Sequence, residues 1–210
     1  MSLSTIVLEV GGVFEQSANQ DSSGNIGVNL ENIQEDSTGA QFVNTEGLKA
    51  TYSCFQLITT ALYGGIISVL PGSATKTIRV LRVEVSIQTS GTPEILQVAV
   101  AKTLVPWAGG TSTAMAIMSH DSNNPAASAA PIGYSVSPTS GGSGAVEVGA
   151  VYCSDSSNAL TLGANTQAWD WGTRPGQSIV LRGTGEQLAV YLAGSVATQT
   201  MLVTYEWTEE

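Results

Sequence analysis

Charge is what this sequence has least of. Asp, Glu, Lys and Arg make up 11% of its 210 residues, against about a quarter in an ordinary soluble domain. Lys and Arg together number seven. That scarcity argues against a nucleic-acid interface, which needs a basic stripe. An anionic membrane surface is an equally poor partner. So little Lys and Glu also leaves few of the residues that build amphipathic surface helices. Histidine occurs once, as His120, and cysteine twice, as Cys54 and Cys153. These cannot supply the spaced cluster of ligands that a metal site takes. The two cysteines read as buried free thiols, with a disulfide as the alternative that geometry alone decides. Long apolar runs are missing too. The longest, LITTALYGGIISVL, is too short and too interrupted to span a bilayer. The start, MSLSTIVLEVGG, has no signal-peptide pattern, and no Asn-x-Ser/Thr sequon occurs. The expectation is a soluble protein outside the secretory pathway.

Glycine, at 23 residues, and the β-branched residues are plentiful. These are the material of an all-β protein. The formal net charge is −10, and the acid is unevenly placed. Residues 1–50 hold seven acidic residues and one basic one, Lys49, with no sustained period of 2 or 3.6. They read as an extended arm ordered only against something else, with one small hairpin around Ser23-Gly24-Asn25.

Strand patterns fill residues 51–210. They fall at 51–59, 63–70, 76–88, 94–103, 145–154, 177–182, 186–193 and 198–207, with a long loop over 106–144 and a second loop carrying Trp169-Asp170-Trp171-Gly172. In 76–88 the apolar phase changes midway, which a β-bulge near Val80-Leu81 reconciles. Around Gly183-Thr184-Gly185 the flanking strands read as a hairpin. In the last strand Met201, Val203, Tyr205 and Trp207 share one face. Eight antiparallel strands predict a two-sheet sandwich of jelly-roll type, with an immunoglobulin-like sandwich as the lesser alternative.

The candidates for chemistry are few. His120 sits in SHDSNNP, where Asp121, Ser122, Asn123, Asn124 and Pro125 all favour a turn. A hydrolytic triad needs a nucleophile, a base and an orienting acid; His120 could serve as the base, but no Gly-x-Ser-x-Gly elbow occurs, GGSGA at 141–145 lacking the last glycine. DSSGN at 21–25 lacks the trailing carboxylate of a calcium loop. Trp107, Trp169 and Trp171, with Tyr134, lie in loops. There they either plug the ends of the sandwich or stack on a glycan or receptor, and plugging is the favoured reading. No catalytic residue, cofactor or metal ligand is assigned.

Several strings taken together are distinctive: GSATKTIRVLRVEVS, GGTSTA with SHDSNNPAA, WDWGTRPGQSIVLRG with QLAVYLAG, and YEWTEE. Over about residues 50–210 the chain resembles a family of small structural proteins of tailed bacteriophages and prophages. The resemblance implies a non-enzymatic virion part, located in the virion and assembled in the bacterial cytoplasm. The leading expectation is a capsid decoration or cement protein on the outer shell, a homotrimer. Its partners would be the major capsid protein and neighbouring copies of itself, with residues 1–50 as the anchor. The alternative is a tail or head fibre or baseplate module that binds a host receptor or glycan through Trp107, Trp169 and Trp171.

Overall fold

The computed structural model describes residues 6–10, 14–20, 26–29, 49–60, 65–88, 95–154, 166–172, 178–193 and 199–210. Every helix or strand among them is a β-strand. The chain divides into two compact units, Met1–Leu48 and Lys49–Glu210. In the first unit β1 (Ile6–Val10), β2 (Phe14–Gln20) and β3 (Ile26–Asn29) form an antiparallel sheet in that order. Strands β2 and β3 flank the expected hairpin turn, whose residues 21–25 lie outside the described residues. Strand β1 adds a third strand where the sequence shows no sustained period.

The second unit has twelve strands where eight were expected. They are β4 (Ala50–Thr60), β5 (Ile66–Pro71), β6 (Thr77–Gln88), β7 (Ile95–Thr103), β8 (Thr111–Ala114), β9 (Ala116–Ser119), β10 (Ile132–Val136), β11 (Val146–Ser154), β12 (Thr166–Asp170), β13 (Ile179–Arg182), β14 (Gln187–Ala193) and β15 (Gln199–Glu209). Strands β8, β9 and β10 lie in the section read as one long loop, and β12 in the Trp169–Trp171 loop. Their signals are weak for a physical reason. TSTA and AIMS are four-residue strands with every residue exposed, so no buried face imposes alternation.

Two antiparallel sheets result, ordered β11-β7-β14-β5-β10-β8 and β12-β6-β15-β4-β9, with β13 also pairing β6. The pairing is nested. Strand β4 pairs β15, β5 pairs β14, β6 pairs β12 and β13, and β7 pairs β11. The chain alternates between sheets from β4 to β7 and again from β13 to β15, while β7–β8, β10–β11 and β12–β13 each stay within one sheet. This overturns the expected hairpin around Gly183-Thr184-Gly185, because β13 joins β6 in one sheet while β14 joins β5 and β7 in the other. The turn itself is real: Gly183 has φ +71° and its carbonyl accepts from Glu186 N. A turn signal fixes where a chain reverses, not which strand it then pairs with.

The bulge in β6 falls where the phase change put it. Glu206 pairs Arg82 and Trp207 pairs Val80, so Leu81 is the extra residue. Its carbonyl accepts from both Trp171 N (2.8 Å) and Gly172 N (3.0 Å). At the same point β6 exchanges one neighbour for another, β13 up to Val80 and β12 from Arg82. The slip keeps Ile78, Val80, Val83, Val85 and Ile87 all in the core, and leaves Leu81 half-buried.

One core fills the space between the sheets. Tyr52, Cys54, Ile58, Met201, Val203, Tyr205 and Trp207 enter it from one sheet. Leu96, Val98, Val100, Leu188, Val190 and Leu192 enter from the other. The rings of Tyr52 and Trp207 stack with centroids 5.8 Å apart. A hydrogen bond of 2.8 Å between the Ser68 and Tyr205 hydroxyls ties the sheets together inside this apolar space. Cys54 and Cys153 are both free and buried, one in each sheet. Burial pushes the Cys54 thiol up to about 12 and raises Cys153 as well, so neither is a ready nucleophile.

Candidate functional site

The histidine turn is built as a turn. His120 N donates to Thr51 O, Asp121 Oδ1 accepts from Asn123 N (2.9 Å), and Asp121 O accepts from Asn124 N and the Ser119 hydroxyl. Its short polar groups are engaged with the local backbone, and the imidazole is exposed. GGSGA also has a packing task. Gly141 and Gly142 take φ of +92° and +66°, which favour glycine. A Cβ on Gly142 would collide with the Trp107 indole, and one on Gly141 with the carbonyl of Pro106. The glycines let this loop lie against Trp107.

The three tryptophans do not form one surface. Trp107 packs with Ile66 and Ile132 on a small cluster of Val69, Tyr134 and Ala189, apart from the main core. Its backbone N–H donates to Gln187 Oε1 (2.9 Å). Trp169 and Trp171 pack against the main core, on and just after β12 in the opposite sheet. All three are half-buried. Trp107→Ala is expected to cost about 2 kcal/mol, less than a fully buried aromatic. Amide exchange should quicken in residues 104–110 and 137–145 while β14 stays protected. Uniform exchange across the unit would show that Trp107 does not hold this flap.

The acidic residues are mostly paired at the surface. Lys49 (2.8 Å) and Arg79 meet Glu210, Arg82 meets Glu84, Lys102 meets Glu186 (2.8 Å), and the Tyr191 hydroxyl donates to Glu147. Glu209 is different. Its carboxylate is buried and accepts from Ser128 N, the Ser128 hydroxyl (2.6 Å), Ala129 N (3.0 Å) and Trp207 Nε1 (3.0 Å). Burial pushes its pKa up, but these donors outweigh it and hold the carboxyl below the usual carboxylate range. Four donors on one carboxylate make a clasp between β15 and the segment before β10. They leave no lone pair aimed at a substrate. Glu209 is thus the exception to the surface pairing of the other acids.

Among the described residues no three His, Cys, Asp or Glu side chains gather as a metal site would require. What the sequence reading missed is apolar and exposed. Phe55 (53%) and Leu57 (58%) stand on the outer face of β4, with Met118 beside them on β9. Val146 (64%), Val148 (38%) and Tyr152 (71%) stand on β11 at the far edge of the other sheet. The signal was present in TYSCFQLIT and AVEVGAVYCS, where apolar residues occupy both phases of the alternation. A strand with one wet face should show only one. No protein-family model matches the chain, and neither the curated proteins nor the solved structures give a match.

Proposed function

We propose that this chain is a non-enzymatic structural protein of a bacteriophage virion, a capsid decoration or cement protein that binds the outer shell. One observation carries the reading. The candidates for chemistry are engaged in turns, clasps and packing, while large apolar side chains stand exposed on two separate strands. Exposed apolar surface of this kind marks contact with other proteins. The strand order supports a jelly roll as the architecture: four nested antiparallel pairs rolled into two sheets, with β8, β9 and β10 as an added flank. The surplus of acid in residues 1–50 would complement a basic patch on the major capsid protein. Neighbouring copies of the chain are the other partner. The particle would be assembled in the bacterial cytoplasm. Half-burial of Trp107, Trp169 and Trp171 in two different packing environments favours this reading over a fibre module that grips a glycan with them.

The test is the copy number of this chain in purified particles, by quantitative mass spectrometry against the major capsid protein. A ratio near one per capsid subunit, or a simple symmetric fraction of it, is the expected result. A trace ratio on the scale of tail proteins would overturn shell decoration and return attention to the tryptophans. Deleting residues 1–48 should leave a folded sandwich that no longer binds the shell. Binding that survives the deletion would remove the anchor role from that segment.

A further inference from the structure

We infer that the segment joining β9 to β10, residues 120–131, is a proton-released strap: the Glu209 carboxylate fastens it over the Tyr52–Trp207 end of the core, and protonation of that one group lets its middle lift while both sheets stay folded. This goes beyond the virion reading and does not rest on it. The strap is fixed at its two ends by backbone alone. His120 N donates to Thr51 O at one end, and Pro131 O accepts from Met115 N at the other. Between these points it pairs with no strand among the described residues. Its middle, Pro125-Ala126-Ala127-Ser128-Ala129-Ala130, covers the core with small side chains. Ala129 is buried, Ala127 is half-buried, and the others are exposed. So little apolar burial holds weakly, and hydrogen bonds decide whether the strap stays down.

Those bonds converge on one carboxylate. Ser128 N, the Ser128 hydroxyl and Ala129 N all donate to Glu209, and Trp207 Nε1 shares Oε1 with Ala129 N. The Tyr52 hydroxyl adds a separate tie, donating to Pro125 O (2.7 Å). The strap therefore lies along the polar edges of two stacked, buried rings. A protonated carboxyl carries a hydrogen on one oxygen, which then meets donors instead of accepting from them. Buried N–H groups left without an acceptor are costly, and lifting into water satisfies them. The surroundings offer no substitute. On β4 the titratable neighbour is Tyr52, itself a donor here, and on β6 the residue opposite Glu209 is Ile78. Glu210, next in the chain, is held by Lys49 and Arg79. On the strap, His120 and Asp121 lie in its exposed first turn. The donors that hold Glu209 below the usual carboxylate range set the sign. Closure is complete above the ordinary carboxylate value and is lost as pH falls through the folded one.

The experiment is native-state amide exchange of the full chain, read by NMR for Ser128 and Ala129 against Val203 and Tyr205 of β15. The strap amides should exchange through a local opening, faster than those of β15. Low urea should leave their rates unchanged, because a local opening exposes little surface. Their protection should fall by about tenfold per pH unit below ~4.3 and level off past the folded value of Glu209. E209Q should quicken them at neutral pH by at least about tenfold and abolish the acid dependence. Y52F removes a tie that does not titrate in acid, so it should quicken them by one factor at every pH. E210Q should leave them unchanged. The parent chain is read by itself, so a folding defect in a variant does not decide the outcome. Strap amides that share the rates and urea slope of β15 would overturn the inference. So would protection that stays flat through the acid range, E209Q as protected as the parent, or an acid dependence lost in Y52F rather than in E209Q.

Discussion

Trp207→Ala is expected to lower the stability of the sandwich unit by about 4 kcal/mol, the scale for truncating a fully buried Trp. In a unit of this size that corresponds to a melting temperature lower by roughly 8 to 16 °C. Three losses coincide at this side chain. A buried volume empties beside Ile78 and Val80 of the core. The stacked partner of Tyr52 disappears. The indole N–H no longer donates to Glu209 Oε1. Trp207→Phe separates them, because it keeps most of the volume and the stack and removes the donor. It should cost about 1.5 kcal/mol, near one hydrogen bond to a charged acceptor. Equal losses in the two variants, measured by calorimetry, would show that the hydrogen bond rather than the volume dominates.

Glu209→Gln should cost about 3 kcal/mol at neutral pH, because an amide offers one acceptor oxygen to a site lined by four donors. The pH dependence carries the sharper information. The folded carboxyl titrates below the ~4.3 of an unfolded Glu. A depressed carboxyl contributes stability that is complete above the unfolded value and is lost as pH falls through the folded one. Urea unfolding of parent and variant should therefore differ most near neutrality and converge in acid. Glu210, lowered by hydrogen bonds from Lys49 and Arg79, acts with the same sign at the surface, so E210Q is the control. Its effect should stay under about 1 kcal/mol, as for exposed ion pairs. Parallel curves for E209Q and the parent would show that the clasp carries no proton-linked stability.

How much of this was legible depended on whether a residue's environment is set locally. The long strands declared themselves, because Met201, Val203, Tyr205 and Trp207 must all face one core. The bulge was legible for the same reason: Val80 and Val83 cannot both face inward without a slipped residue between them. Strands β8 and β9 were not, since strands exposed along their whole length obey no alternation. Partner choice was equally hidden. Nothing in QSIVLRGTGEQLAVYLA distinguishes a hairpin from a chain crossing between sheets. For the tryptophans packing was favoured over binding, but a loop Trp reads much alike in either case. Glu209 was missed because its partners, Ser128 and Ala129, lie about eighty residues away, and sequence spacing says nothing about what such a fold brings together.

The nested pairing also has a consequence in time. The Thr59 hydroxyl meets that of Thr200, 141 residues onward, and the strands that carry them form one ladder. A ribosome adding about 5 to 20 residues per second makes β4 wait roughly 7 to 28 s for its partner. Strand β6 waits for the same arrival, because β15 lies between the two. Through that interval the apolar residues of β4 and β6 have no sheet to close over them. Contacts this distant in sequence also slow the folding step itself. Production of this chain is therefore governed by what shields β4 and β6 during synthesis. Slower translation would lengthen the exposure, and lower temperature would weaken the hydrophobic attraction that makes it hazardous.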